Sequence, residues 1–150
     1  MLEFKTTTDI PATPNRVWQV MSDIDHWHEW TPSITSVQRL RGAPLEVGTK
    51  ALVRQPKLPP ALWKVTAIEP GKSFTWVSAA PGLRVVGHHA VVPTADGTRA
   101  TLSLQVHGLF SGIFARMTRA ITERYLATMY TKMRDATPWD SPRHARALHH

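Results

Sequence analysis

The sequence predicts an α+β domain in which a meander of short antiparallel strands packs on one long C-terminal helix. Three observations predict it. Between Ser33 and His107, short alternating runs are broken at Gly42–Pro44, Pro56–Pro60, Pro70–Gly71, Pro81–Gly82 and Asp96–Gly97. Breaks this short favour antiparallel neighbours, because parallel strands need long crossovers. After Gly108 the period changes from two to three-or-four, and residues 112–135 contain no proline and no glycine beyond the first position. Finally, 150 residues with 42% apolar and 19% charged side chains suit one globular domain with a substantial core.

The elements follow in order. Leu2, Phe4, Thr6 and Thr8 alternate with Glu3, Lys5 and Thr7, which predicts an opening strand. Thr13–Pro14 supplies an N-cap with proline at the first helical position. Val17, Trp18 and Met21 follow at helical spacing, so residues 14–22 form a short amphipathic helix. Asp25 is expected to cap a second turn, with Trp27 and Trp30 on one side, and Pro32 ends it. Strands are predicted near 34–41, 49–55, 61–69, 73–79, 83–92 and 99–107, with Asp96–Gly97 as the best hairpin signal. Ser111 is the expected N-cap of the long helix. Its stripe is Phe114, Met117, Ile121, Tyr125, Met129 and Met133, and about 24 residues would run ~36 Å, enough to cross the sheet. Residues 1–136 are read as one domain. Residues 137–150 are a tail, in which Ser141–Pro142 could cap one last turn.

Composition excludes several classes. No stretch approaches the ~20 apolar residues that span a bilayer. The segment MLEFKTTTDIPATP lacks a basic region followed by an apolar core, so no secretory signal is expected. Zero cysteines remove disulfides, thiolate metal sites and a cysteine nucleophile, and fit a cytoplasmic protein. The net charge of +7 invites a nucleic-acid reading. However, the excess is spread thinly: residues 111–150 hold seven Lys/Arg against three Asp/Glu, without a basic run or a zinc-finger spacing. No nucleic-acid partner is expected.

The segment SDIDHWHEWTPSITSVQRL resembles the Asp-x-x-x-Trp-x-x-Trp-x-Pro stretch of bacterial polyketide cyclase/dehydrase-like proteins. VTAIEPGKSFTW resembles their fourth-to-fifth strand turn, and DGTRATLSLQVHG their last hairpin strand. Over residues 2–135 the chain is thus similar to the SRPBCC superfamily, which includes START lipid-transfer domains and the major birch-pollen allergen. The resemblance implies the helix-grip fold: a seven-stranded curved antiparallel sheet around the long helix, with two short helices after the first strand. Members share a cavity rather than one reaction.

Several residues are candidates for that cavity. Trp30, Trp63 and Trp76 are placed to line an apolar slot, although tryptophans also simply fill cores. His88 and His89 must point to opposite faces of their strand. The family's His-x-Val/Leu pattern implies that His89 and Val91 face inward. His89 could then act as acid, base or anchor, or be a satisfied structural histidine. Alternation puts Leu102 and Leu104 on the wall behind, and the helix contributes Phe114, Met117, Ile121 and Tyr125. His89 and Tyr125 are the candidates for any catalysis. His26 and His28 near Asp23 and Asp25 lack metal-ligand spacing, and neither a phosphate-binding glycine loop nor a nucleophile elbow exists. No metal and no cofactor are expected.

Three readings remain from the sequence. The first is a carrier or binding protein for a small hydrophobic or amphipathic ligand, a polycyclic or acyl molecule or a lipid. The second is a polyketide cyclase or dehydratase, which gains most from positioning a flexible chain. The third is an interaction module without small-molecule chemistry. A monomer or a homodimer would suit each of them.

Overall fold

The computed structural model describes residues 2–39 and 45–137. The expected Gly42–Pro44 break and the tail with its capped last turn lie outside the described residues. The chain begins with β1 (Leu2–Ile10) and α1 (Pro14–Ser22), and a 3-10 turn (Ile24–His26) leads into the one-turn helix α2 (Trp27–Trp30). Six more strands follow: β2 (Ser36–Arg39), β3 (Lys50–Arg54), β4 (Ala61–Glu69), β5 (Ser73–Ala80), β6 (Leu83–Thr94) and β7 (Gly97–His107). The long helix α3 (Ser111–Ala136) ends the described fold.

The seven strands form one antiparallel sheet in the order β1-β7-β6-β5-β4-β3-β2. From β2 to β7 each strand pairs with the next in the chain, and β1 closes on β7 with Leu2 opposite Val106 and Ile10 opposite Thr98. A bulge between Val65 and Ala67 breaks the β4–β5 ladder and bends the strands where the sheet curls. The helix α3 packs mainly on β1 across the concave face. This is the helix-grip fold.

Local chemistry explains the helix ends. Thr13 is extended at φ −68° and ψ 154°, and its hydroxyl accepts the Arg16 amide at 3.4 Å. Pro14 occupies the first helical position, where no amide is missed. Two other caps differ from expectation. Asp25 does not cap; its carboxylate takes the Arg39 guanidinium at 3.0 Å instead. Phe110 rather than Ser111 precedes the long helix, without a side-chain cap.

The buried face of α3 is also displaced. Ala115, Leu126, Met129, Tyr130 and Met133 are buried, Phe114, Ile121 and Tyr125 are half-buried, and Met117 is 76% exposed. Nine residues at ~100° each put Met117 on the opposite side of the helix from Leu126. The helix carries two apolar rows, and periodicity alone cannot say which one the sheet will cover.

Among the glycines required by close approach are Gly97 and Gly87. The loop between β6 and β7 is Ala95–Asp96, so Gly97 opens β7 rather than forming the turn. A Cβ there would strike the Ile10 carbonyl. Gly87 lies opposite Trp76, and a Cβ would sit 2.9 Å from the indole nitrogen and 3.3 Å from a Leu104 methyl. Trp76 is itself buried and cannot swing away. Gly87→Ala should therefore overpack the sheet face and cost about 1–3 kcal/mol, read from urea unfolding, with a changed near-UV signal from the tryptophans.

Candidate functional site

The concave face is divided in two. At one end the short helices drive Val17, Met21, Ile24 and Trp27 into the sheet, all essentially without solvent exposure. Trp27 meets Trp76 edge-on with centroids 5.4 Å apart, and its indole N–H donates to the Met21 carbonyl at 3.1 Å. Phe74 stacks on His89 at 4.7 Å with only 12° between the planes. Strand alternation produces this set, since Phe74, Trp76 and His89 all point inward.

His89 is locked by hydrogen bonds. The Tyr130 hydroxyl donates to the Thr101 carbonyl at 3.2 Å and lies 2.9 Å from His89 Nδ1. With the hydroxyl proton committed, Nδ1–H is the donor to the tyrosine oxygen, which fixes the tautomer of the neutral ring. Burial, assisted by the neighbouring His88, lowers the His89 pKa to about 3. Burial likewise raises Tyr130 well above the usual tyrosine range. His88 points the other way, exposed, 2.7 Å from the Thr75 hydroxyl. This ring cluster is core.

The other end holds a cavity. It measures about 290 Å³ and lies between the sheet, α3 and the loop from Gln55 to Pro60. The sheet contributes Trp63, Ser78, Leu83, Val85, Leu104 and Val106. The helix contributes Phe114, Thr122, Tyr125 and Leu126, with Phe4 beside them from β1. Leu58, Pro59 and Pro60 form the roof. Lys57 turns this loop with a φ of 65°, an unfavourable conformation for a residue with a Cβ. The Tyr125 hydroxyl donates to the Pro56 carbonyl and straps the roof to the helix.

The cavity therefore brings together Trp63, Leu104, Phe114 and Tyr125 from the sequence candidates. Trp76, Val91, Leu102 and His89 are buried in the core away from it, although Trp76 backs Trp63 at a centroid distance of 5.2 Å. Trp30 lines a separate outer groove with Val20 and Glu29. Ile121 is half-buried outside the cavity wall, and Met117 faces solvent on the far side of the helix. Sequence reasoning missed Gln55, Ser78 and Thr122, which supply the other polar groups of the lining. It also read the Pro-rich loop as a mere break, although Leu58 between prolines signals an apolar roof. Among the described lining residues Tyr125 is the one titratable side chain, and its proton is already engaged. Among the described residues no cluster of His, Asp and Glu could hold a metal.

Residues 1–136 match the family described as polyketide cyclase/dehydrase and lipid transport. The chain belongs to that family. No curated protein sequence is significantly similar. Among solved structures, the Zhui aromatase/cyclase from a Streptomyces species superposes with a TM-score of 0.73 at 14% identity, covering 90% of this chain and 92% of that one. Ara h 8.0201 gives 0.70 at 15% identity, covering 90% and 96%. TTHA0849 from Thermus thermophilus gives 0.72 at 16% identity, covering 89% and 95%. At these identities the likeness is one of fold.

The neutral His89 has a consequence for stability. In the unfolded chain it titrates near 6.5, and in the folded chain near 3, so folding excludes a proton between those values. Its contribution is complete above pH 6.5 and is lost as pH falls toward 3, at up to about 1.4 kcal/mol per pH unit. Between pH 7 and pH 5 the protein should lose about 2 kcal/mol more than His89→Gln, measured by urea unfolding at each pH.

Proposed function

We propose that the cavity binds a small hydrophobic or amphipathic molecule and that the protein acts as its carrier. The observation that carries this reading is an apolar lining with hydroxyl and amide groups but no free acid or base among the described residues. Burial of apolar surface then dominates affinity, while Ser78, Thr122 and Gln55 orient the ligand. The volume lies at the lower end for ligand pockets, which suits two or three fused rings or a short acyl segment. Family membership agrees with this chemistry.

A polyketide cyclase or dehydratase is the second reading, favoured by the family description and by the shared fold of the Zhui aromatase/cyclase. Cyclisation of a chain held in a fitted slot draws mainly on positioning. Dehydration needs a group to move the proton, and the buried His89–Tyr130 pair is not at the cavity wall. Binding is therefore the better-supported function.

The test is titration with a flavonoid and with a fluorescent fatty acid, followed through tryptophan quenching. Saturable binding in the micromolar range, about −8 kcal/mol, is expected. Trp63→Ala should raise Kd about tenfold or more, because it removes the aromatic wall. His89→Gln should leave Kd nearly unchanged. Native mass spectrometry of freshly purified protein should reveal a co-purifying small molecule. Absence of saturable binding by the folded protein overturns the carrier reading. Turnover of a model polyketide that Tyr125→Phe abolishes, with affinity kept, would establish the cyclase.

A further inference from the structure

The end of the sheet that opens onto the cavity also carries an unpartnered apolar surface. Seven large hydrophobic side chains are exposed among the described residues, and five of them lie here: Leu62, Leu109, Phe110, Ile113 and Met117. The topology gathers them. Strand β7 leaves the sheet at this end, and α3 starts four residues later. The Phe110 amide donates to the Gly82 carbonyl at 2.9 Å, which pins the β7–α3 link to the β5–β6 turn. Ile113 and Met117 are four residues apart on one side of the first helical turns, and Leu109 extends their row. Leu109 is 87% exposed, Met117 76% and Ile113 60%. Leu109, Ile113 and Met117 protrude, whereas Leu62 belongs to the cavity lining and Phe110 packs beside Gly82.

The surrounding charge is cationic. Lys57 on the roof, Arg84 at the start of β6, and Arg116 and Arg124 on α3 are all exposed. Carboxylates at this end include Glu3 on β1, which accepts the Gln105 amide at 3.4 Å, and Glu123 on α3, 3.9 Å from Arg119. Asp9 and Glu69 sit at the opposite end of their strands, and Asp96 lies in the turn between β6 and β7. Protruding apolar tips ringed by Arg and Lys match an anionic lipid surface, where apolar groups enter the interface and cations meet the headgroups. A second copy of this chain, with net charge +7, would oppose its own cationic rim.

We propose that this end of the protein docks on an anionic bilayer through Leu109, Ile113 and Met117. The surface is read from exposure and charge, so it stands separately from the ligand reading.

The experiment is vesicle flotation of the full chain. Phosphatidylcholine vesicles are compared with vesicles carrying about 30% phosphatidylglycerol, at about 50 and 500 mM salt. Strong partition onto the anionic vesicles at low salt is expected, about tenfold or more weaker on pure phosphatidylcholine. The double variant Leu109→Asp/Ile113→Asp should lose about tenfold or more on anionic vesicles. It should keep its circular dichroism and its probe affinity, because both residues are exposed and lie outside the cavity. Arg116→Glu/Arg124→Glu should remove the preference for anionic vesicles. Absence of binding to any vesicle, or equal binding of the Leu109/Ile113 variant, overturns the proposal. So does a wild-type dimer in ultracentrifugation that this variant makes monomeric without any vesicle binding.

Discussion

Insertion of Trp27 between the short helices and the sheet is the interaction on which the rest of the structure depends. Its ring closes against Phe74, Trp76 and His89, and its N–H is satisfied within the helical segment. A curved sheet around one helix leaves more concave surface than that helix can cover. The Trp27 wedge fills one half of the surplus and lets Tyr130 approach Thr101. The remaining half then has walls of fixed position. Trp63 is held by Trp76 behind it, and Trp76 by the space that Gly87 leaves. The rigidity of the cavity thus originates in the core beside it.

The same wedge removes the histidine from chemistry. An imidazole stacked on Phe74, hydrogen-bonded to Tyr130 and buried away from the cavity lining does not meet a ligand held there. Burial favours its neutral form. A polar residue in this position specifies the packing: Nδ1 must meet the Tyr130 oxygen, so α3 is held in one rotation against β6. The apolar rows of α3 alone would not impose that choice, since the helix offers a second row at Ile113 and Met117.

This divides what was legible in the sequence from what was not. Strands and short helices could be read, because turn prolines and glycines and the Thr13–Pro14 start are local signals. The inward direction of His89 came from the resemblance, and that of Leu102 and Leu104 followed from alternation. The rotation of α3 could not be read, because Met117 and Met129 look alike as apolar positions and only tertiary contact separates them. Nor could the position of the cavity. Tyr125 and Pro56 are far apart in the chain, and the strap between them exists only once loop and helix meet. The tryptophans were recognised as a group, but which of them faces empty space depends on where Trp27 lands.

The half that no side chain fills is itself informative. A cavity of about 290 Å³ leaves its lining without the packing contacts that a filled core would supply. Closing the space would need little: Ser78, Ala79 and Thr122 line it, and larger apolar side chains there would fill it. Instead the chain holds Lys57 in a left-handed conformation and uses the Tyr125 hydroxyl to keep a roof over the space. Features that maintain a void at a cost in stability are accounted for when an occupant restores the lost contacts. A ligand that fills the cavity regains that burial, so occupancy and folding are thermodynamically linked.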